Sequence, residues 1–219
     1  MYSKKKYKVI VLIPSCNELK NIKNFILHLR KEIDVIVVDD FSTDNSFEWL
    51  VKKKIPCIRN KKNLGYEKSI IRGFDYIIQK KKYTHIITLD ADGQHNYKDI
   101  KKILHKYHNK LPDLIICNRI KKNRLIEYFI SKLSEINFGI EDILSGFKIY
   151  SIGKLKRINF YKCHNYYLVD LTLLFKSKKF NIENYLIKTK KRSDFPKIGN
   201  TLKVNIKLIK IFFKIFFFH

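Results

Sequence analysis

Two carboxylates set one residue apart, Asp90 and Asp92, stand just where the apolar run His85-Ile86-Ile87-Thr88-Leu89 ends. That run is short, rich in β-branched residues and almost unbroken, which predicts a buried strand of an α/β sheet. In open sheets of this kind ligands gather at the carboxyl ends of the strands. Gly93 lets the backbone turn sharply behind the pair. Hard oxygen ligands in a small cluster suit Mg²⁺ or Mn²⁺, which keeps coordination positions for water and substrate phosphates. The chemistry to expect is a divalent cation held against a nucleotide-linked diphosphate. Alone, however, an Asp-x-Asp after a strand is more often a cap or a solvated turn, so the flanking segments decide its meaning.

Those segments repeat the same design. Lys8 to Ile13 is a second apolar run, followed by Pro14-Ser15-Cys16-Asn17-Glu18 and a helical pattern through Leu29. Pro14 is expected to stop the strand and Asn17 to cap the helix. Asp34 to Val38 is a third run, ending in Asp39-Asp40-Phe41-Ser42-Thr43-Asp44. Periodicity predicts strands near 8–13, 34–38, 56–59, 84–89, 113–117 and 183–188. It predicts helices near 19–31, 46–53, 66–80, 98–108, 125–137, 168–177 and 202–217. Alternating β and α patterns over 219 residues, with no repeat and no Pro/Gly/Ser-rich linker, describe one α/β domain of ordinary size.

The order of the pieces carries more than any one of them. Pro-x-x-Asn-Glu, Val-Asp-Asp-x-Ser-Thr-Asp, Asn63-Leu64-Gly65 with Gly73 eight residues on, then Asp90-Ala91-Asp92-Gly93-Gln94-His95, resembles the family 2 glycosyltransferases. The likeness continues through Cys117-Asn118-Arg119 and Asp142-Ile143-Leu144-Ser145-Gly146-Phe147, and covers residues 8 to about 200. Within the family, Ser-Gly-Phe and the later Arg192-Ser193 most resemble the branch of dolichol-phosphate mannosyltransferase and the bacterial polyprenyl-phosphate sugar transferases. The resemblance implies a GT-A fold, a Rossmann-like mixed sheet flanked by helices. It implies a catalytic domain over 1–200, with a nucleotide-sugar half to about 118, an acceptor half from 119, and a separate tail over 201–219.

It also implies an inverting, metal-dependent transfer from a nucleotide sugar. Asp92 would hold the metal, with Asp90 nearer the ribose or the metal's outer shell and Gln94 as a further ligand. Asp40 and Glu18 would accept hydrogen bonds from base or ribose. Pro14, Cys16, Val38 and Ala91 would line the donor site. With a hydroxyl acceptor a carboxylate must take a proton, and Asp142 is the first candidate, Glu141 the second. With a polyprenyl phosphate the nucleophile is already anionic and Asp142 positions substrate or metal instead. Arg119, Arg192 and Lys197 match basic positions that flank phosphates in the branch. Lys148 stands where arginine is usual after Ser-Gly-Phe. Gly65, Ser69 and Gly73 give the intervening helix a thin face, expected chiefly to let it pack close to the sheet.

Four dispersed cysteines without a Cys-x-x-Cys pair are expected in a reduced, cytosolic protein without zinc. The net charge of +26 raises a nucleic-acid binder as a rival, but the lysine runs near 4–6, 52–54, 80–82 and 188–191 are scattered over every segment. An anionic nucleotide sugar and an anionic membrane face suit the charge better than specific nucleic acid does. A sugar-nucleotide-forming nucleotidyltransferase would call for a Gly-rich phosphate loop, and residues 14–18 have none. In the tail, Lys203, Lys207, Lys210 and Lys214 form one stripe of a helix otherwise rich in Ile, Leu and Phe. The expectation is an interfacial helix with its ammonium groups at the headgroups, and a peripheral protein on the inner face of the cell membrane, the alternatives being a helix packed back on the catalytic domain or one that binds another protein.

Overall fold

The computed structural model describes residues 7–93, 95–122, 124–163, 166–189 and 202–217. Gln94, Arg192 and Lys197 lie outside them, as does the linker between domain and tail. In chain order the elements are β1 (Val9–Ser15), α1 (Leu19–Leu29), β2 (Asp34–Asp39), α2 (Ser46–Lys52), β3 (Cys57–Arg59), α3 (Tyr66–Gln79), β4 (His85–Thr88) and α4 (Tyr97–Lys106). There follow β5 (Leu114–Arg119), α5 (Leu125–Phe138), β6 (Lys148–Ser151), α6 (Ile152–Leu155), a 3₁₀ turn (Phe160–Lys162), α7 (Tyr167–Ser177), β7 (Ile182–Ile187) and α8 (Leu202–Phe216).

The strands form one sheet in the order β3-β2-β1-β4-β6-β5-β7. Strands β3, β2, β1 and β4 run parallel, β6 is antiparallel to both its neighbours, and β5 and β7 are again parallel. Alternate residues of each strand point to opposite faces. Leu12, Ile36, Val38 and Ile86 therefore pack with Ile70 and Phe74 of α3, Ile130 of α5, Leu171 and Phe175 of α7, and Ile211 of α8. Val11, Ile13, Val37 and Ile87 pack with Ile22 and Ile26 of α1, Leu50 of α2, and Ile100 and Ile103 of α4. The result is a sheet covered on both faces, with strand exits left to carry chemistry.

Three local expectations are corrected. Pro14 does not stop β1, which runs through Ser15. It ends only the pairing on the β4 side, at Leu12, because a proline facing β4 has no N–H to give, while the ladder to β2 continues to Ser15 opposite Asp39. The cap of α1 is Glu18, not Asn17, which takes a left-handed φ of 54°. The strand β6 was not anticipated: it is only four residues, Lys-Ile-Tyr-Ser, and begins on a charged side chain. The close approach expected at Gly73 is real, since a Cβ there would stand 2.3 Å from Leu12 Cδ1.

The tail helix is docked. Leu208, Ile211 and Ile215 are buried in the α3-side core. Lys207 pairs with Glu67 and Lys214 reaches Asp170 at 2.7 Å. Two lysines of the expected headgroup stripe are thus spent on carboxylates of the catalytic domain, and the side chain of Lys203 lies outside the described residues. Among the described residues no helix is long and apolar enough to cross a membrane.

Lys148 opens β6 as a wholly buried ammonium. Its Nζ donates to the carbonyls of Ile143 (2.8 Å) and Leu168 (3.1 Å) and to Thr172 Oγ1 (3.0 Å), tying the loop before β6 to α7. Burial pushes its pKa down to about 7, against the ordinary lysine value of 10.5. Between those values the unfolded chain binds a proton that the folded chain does not, so this group's contribution to stability rises with pH from about 7 to about 10. Urea midpoints at pH 6.5 and 9.5 should show the wild type gaining stability relative to Lys148→Met by a difference on the order of a few kcal/mol. An equal response of the two proteins to pH would show that Lys148 keeps an ordinary pKa.

Candidate donor and acceptor site

The first two strand exits are stitched into a clasp. The Asn17 backbone N–H donates to Ser42 Oγ (2.9 Å), and Asn17 Oδ1 accepts from the Thr43 backbone N–H (2.7 Å). Asp44 caps α1 from outside, accepting from the Leu19 N–H at 2.9 Å, and its other oxygen takes the Ser46 N–H at the start of α2 (3.1 Å). The Pro-x-x-Asn-Glu and Asp-Asp-x-Ser-Thr-Asp segments are therefore two halves of one structure. Glu18 is buried and accepts from Asn21 Nδ2 at 2.6 Å.

Asp40 is nearly wholly buried, and its carboxylate works inside the protein. Oδ1 accepts from Asn60 Nδ2 (2.7 Å) and the Leu64 N–H (2.8 Å), and Oδ2 from the Gly65 N–H (2.8 Å). It fixes the turn that launches α3, where Gly65 takes a φ of 88° that favours glycine. Asn60 also donates to Ser69 Oγ at 3.0 Å, which gives the serine of the thin helix face a definite task. Val38 is enclosed in the core beneath α3, and Pro14 is a buried strand residue, so neither presents an open wall to a base. Cys16 is half-buried and accepts from Asn63 Nδ2 at 3.4 Å. The neighbouring carboxylate, Asp39, is the one with capacity in reserve: Oδ2 takes the Ser42 N–H (3.2 Å), while Oδ1 is buried without a hydrogen-bond partner among the described residues. Such an orphaned acceptor is costly unless something fills it.

At the third exit Asp90 is held from three sides. Tyr66, the first residue of α3, donates its hydroxyl to Oδ1 at 2.8 Å. His95 Nε2 lies 3.5 Å from Oδ2, its ring edge-on to Phe147. Gly146 supplies the floor, where a Cβ would stand 2.4 Å from both carboxylate oxygens. Burial opposes ionisation of Asp90, but His95, Tyr66 and the Arg119 charge outweigh it and hold its pKa below the ordinary value. Burial and the Asp90 charge raise Tyr66 well above its usual pKa, so it stays a hydrogen-bond donor. Ala91 is buried and Asp92 half-buried behind it, with Gly93 at a φ of 72°.

The Ser-Gly-Phe element joins this exit to β5. Ser145 Oγ donates to the Cys117 carbonyl of β5 (2.7 Å), Thr88 Oγ1 of β4 donates to the Gly146 carbonyl (2.7 Å), and Phe147 fills the core. Asp142 is wholly buried. Oδ2 accepts from the Arg119 backbone N–H (3.0 Å) and Nε (2.9 Å) and stands 2.8 Å from Lys122 Nζ, while Oδ1 accepts from Arg119 Nη2 (3.1 Å). Burial would raise its pKa, yet Arg119 and Lys122 prevail and lower it. The expectation of a proton-accepting Asp142 meets a carboxylate whose lone pairs are engaged and whose basicity is reduced. Glu141 is exposed and accepts from Asn118 Nδ2 at 2.7 Å.

Hard oxygens at Asp90 and Asp92 fit Mg²⁺ or Mn²⁺, which is commonly held by one or two carboxylates with substrate phosphates completing the shell. Among the described residues no group of three His, Cys, Asp or Glu side chains could hold a metal. The structure thus gathers Asp90, Asp92, Ala91, Arg119 and Asp142 around the ends of β4 and β5. It sets Asp40 and Val38 to structural work and adds Tyr66, Asp39, Lys122 and the His95 ring, to which sequence reasoning gave no role.

Residues 10–168 match the family model described as glycosyl transferase family 2. The chain is 27% identical over 218 residues to UDP-N-acetylglucosamine--dolichyl-phosphate N-acetylglucosaminyltransferase of Methanococcus voltae, covering 83% of this chain and 85% of that one. It is 24% identical over 172 residues to the undecaprenyl-phosphate mannosyltransferase of Micrococcus luteus, covering 69% and 70%. In fold it is similar to glucosyl-3-phosphoglycerate synthase from Mycobacterium tuberculosis, solved with Mn²⁺, UDP-glucose and phosphoglyceric acid. That likeness has a TM-score of 0.71 at 15% identity over 94% of this chain and 80% of that one. The mixed seven-stranded sheet is thereby a GT-A fold.

Gly146→Ala tests the carboxylate floor. Its methyl group would push Asp90 off the Tyr66 hydroxyl, so metal-dependent stabilisation by a nucleotide sugar should fall about tenfold or more in affinity while cooperative unfolding persists. Unchanged donor affinity in this variant would show that the Asp90 position does not matter to binding.

Proposed function

We propose, for a chain that belongs to glycosyl transferase family 2 and is a glycosyltransferase, that it moves a sugar with inversion from a nucleoside-diphosphate sugar to a polyprenyl phosphate at an anionic, cytoplasmic membrane face. The observation that carries the acceptor is the buried Asp142, ion-paired on both oxygens with Arg119 and Lys122. A hydroxyl nucleophile would need a carboxylate ready to take its proton, whereas a phosphate monoester is already an anion near pH 7. The relatives that act on dolichyl and undecaprenyl phosphate support the same reading. A glycan hydroxyl is the second reading, and the exposed Glu141 is the group that favours it.

In the proposed reaction Asp92, with Asp90 and Gln94, would hold Mg²⁺ or Mn²⁺, which would supply Lewis-acid compensation for the charge that grows on the departing diphosphate. Tyr66 and His95 keep Asp90 ionised and aimed. Glu18 reads base or ribose from the clasp, while Asp39 braces it through the Ser42 N–H and Arg59, and Asp40 holds the α3 turn that bounds it. Arg119 keeps positive charge beside the acceptor phosphate, its guanidinium oriented by Asp142. The exposed side of α8 meets anionic lipid.

The test supplies UDP-, GDP- and dTDP-sugars with Mn²⁺ and offers a polyprenyl phosphate beside a panel of glycan hydroxyl acceptors. Acid-labile, lipid-soluble labelled product should form with the phosphate, and both chelator and Asp92→Ala should cut the rate by about 10² or more without loss of the fold. Transfer confined to hydroxyl acceptors would overturn the acceptor assignment. Full activity of Asp92→Ala in chelator would overturn the metal.

A further inference from the structure

Helix α3 starts on Gly65, at a φ of 88°, which has no side chain with which to cap it. The first turn of a helix is the part most ready to fray, because its N–H groups lack partners within the helix. Yet from this turn Tyr66 must hold Asp90, donating its hydroxyl to Oδ1 at 2.8 Å.

Two ties from outside the helix bracket Tyr66. One residue before it, the Gly65 N–H donates to Asp40 Oδ2 at 2.8 Å. One residue after it, the Glu67 carboxylate is paired with the Lys207 ammonium of α8. The second tie spans 140 positions of sequence. It comes from beyond residues 10–168, the stretch that the family model matches. The same ammonium lies 5.6 Å from the centre of the Tyr166 ring, at the N-cap of α7. Further along α8, Lys214 stands 2.7 Å from Asp170 in the first turn of α7. Leu208, Ile211 and Ile215 are buried, and Asn137 Nδ2 of α5 donates to the Ile215 carbonyl at 3.5 Å, so the body of α8 is seated on the domain. That seat keeps Lys207 within reach of α3.

The Lys207 and Glu67 side chains are 43 and 26% exposed, and ion pairs this open to solvent contribute little to stability. A carboxylate in the first turn also suits the helix dipole without any partner. Losing Lys207 would therefore leave the fold and α3 intact and free only the turn that aims Tyr66.

We propose that Lys207 of the tail is a positioning residue for the Asp90 site, acting through Glu67 and the first turn of α3 on the Tyr66 hydroxyl. Lifting α8 from the domain would then slacken the hold on Asp90 and weaken the binding of a metal and diphosphate there. The inference rests on the transfer reading for what Asp90 and Asp92 bind, and on the contacts alone for the coupling between tail and site.

The full chain is titrated with UDP, GDP and dTDP in Mn²⁺. Lys207→Met and Glu67→Gln should each weaken metal-dependent binding of the nucleoside diphosphate about fivefold, with a Tm close to that of the wild type. The double variant should bind no more weakly than either single one, because both remove the same pair. In a Tyr66→Phe background Lys207→Met should have no further effect, which a general loosening of the fold would not reproduce. Lys207→Arg keeps the charge and should bind as the wild type does. Lys214→Met frees the α7 contact instead and should leave affinity unchanged. Wild-type affinity in Lys207→Met, a loss additive with that of Tyr66→Phe, or an equal loss in Lys214→Met would each overturn the proposal. Hydrogen exchange over residues 65–69 and 90–93 needs no ligand. It should quicken in Lys207→Met and not in Lys214→Met. A wild type that binds none of the three nucleotides sinks the transfer reading; the coupling then stands if exchange quickens in Lys207→Met alone and falls if it does not.

Discussion

The Asp90 carboxylate resting on the Gly146 backbone is the contact around which the two halves of the molecule are arranged. One partner follows the parallel strand β4, and the other precedes the antiparallel strand β6 that pairs with it. Both must approach within van der Waals distance, so the position opposite the carboxylate has room only for hydrogen. Thr88 and Ser145 are the fasteners, each spending a hydroxyl on a backbone carbonyl across the junction. Tyr66 then brings α3 to the same point. A carboxylate held by packing and by donors from separate segments is preorganised.

Behind that junction lies a second tier of buried charge. Arg119, Lys122, Asp142 and Glu127 form a connected set, and the Lys148 side-chain nitrogen sits behind it among three oxygen acceptors. Burying so many ions is expensive, and substituting apolar residues of similar volume is often neutral or stabilising. Their presence is easier to understand as positioning. Each links the loop before β6 to a different neighbour: Asp142 to β5, Lys148 to α7. The loop that floors the Asp90 site therefore cannot shift without breaking charged contacts.

What could be seen in the sequence was whatever leaves a periodic or punctuated trace. The runs that became β1, β2, β4 and β5 were legible as apolar stretches, and Asp90-Ala91-Asp92-Gly93 as a strand exit. Four residues opening on a lysine leave no such trace, so β6 was invisible, and with it the reversal in the sheet. Asp40 shows a different limit. Its place at a strand exit was plain, but only coordinates reveal that Asn60, Leu64 and Gly65 already occupy its oxygens. For the lysines of α8, periodicity defines a face and cannot say that Glu67 and Asp170 wait opposite Lys207 and Lys214.

The position of β6 also bears on how the chain reaches this fold. β4 and β5 are not neighbours; each pairs with β6, which is synthesised after both and after the whole of α5. Until residues 148–151 emerge, β4 has a partner only in β1 and presents its other edge unpaired, in the middle of what will become the sheet. An open edge of Ile-rich strand is a template for pairing with another chain. Pairings that must wait for distant segments are slow to form and leave such edges exposed for longer. The same late strand that completes the floor under Asp90 thus makes the nascent protein vulnerable over a defined stretch of its synthesis, when β1 to β4 are assembled and their inner edge is still bare.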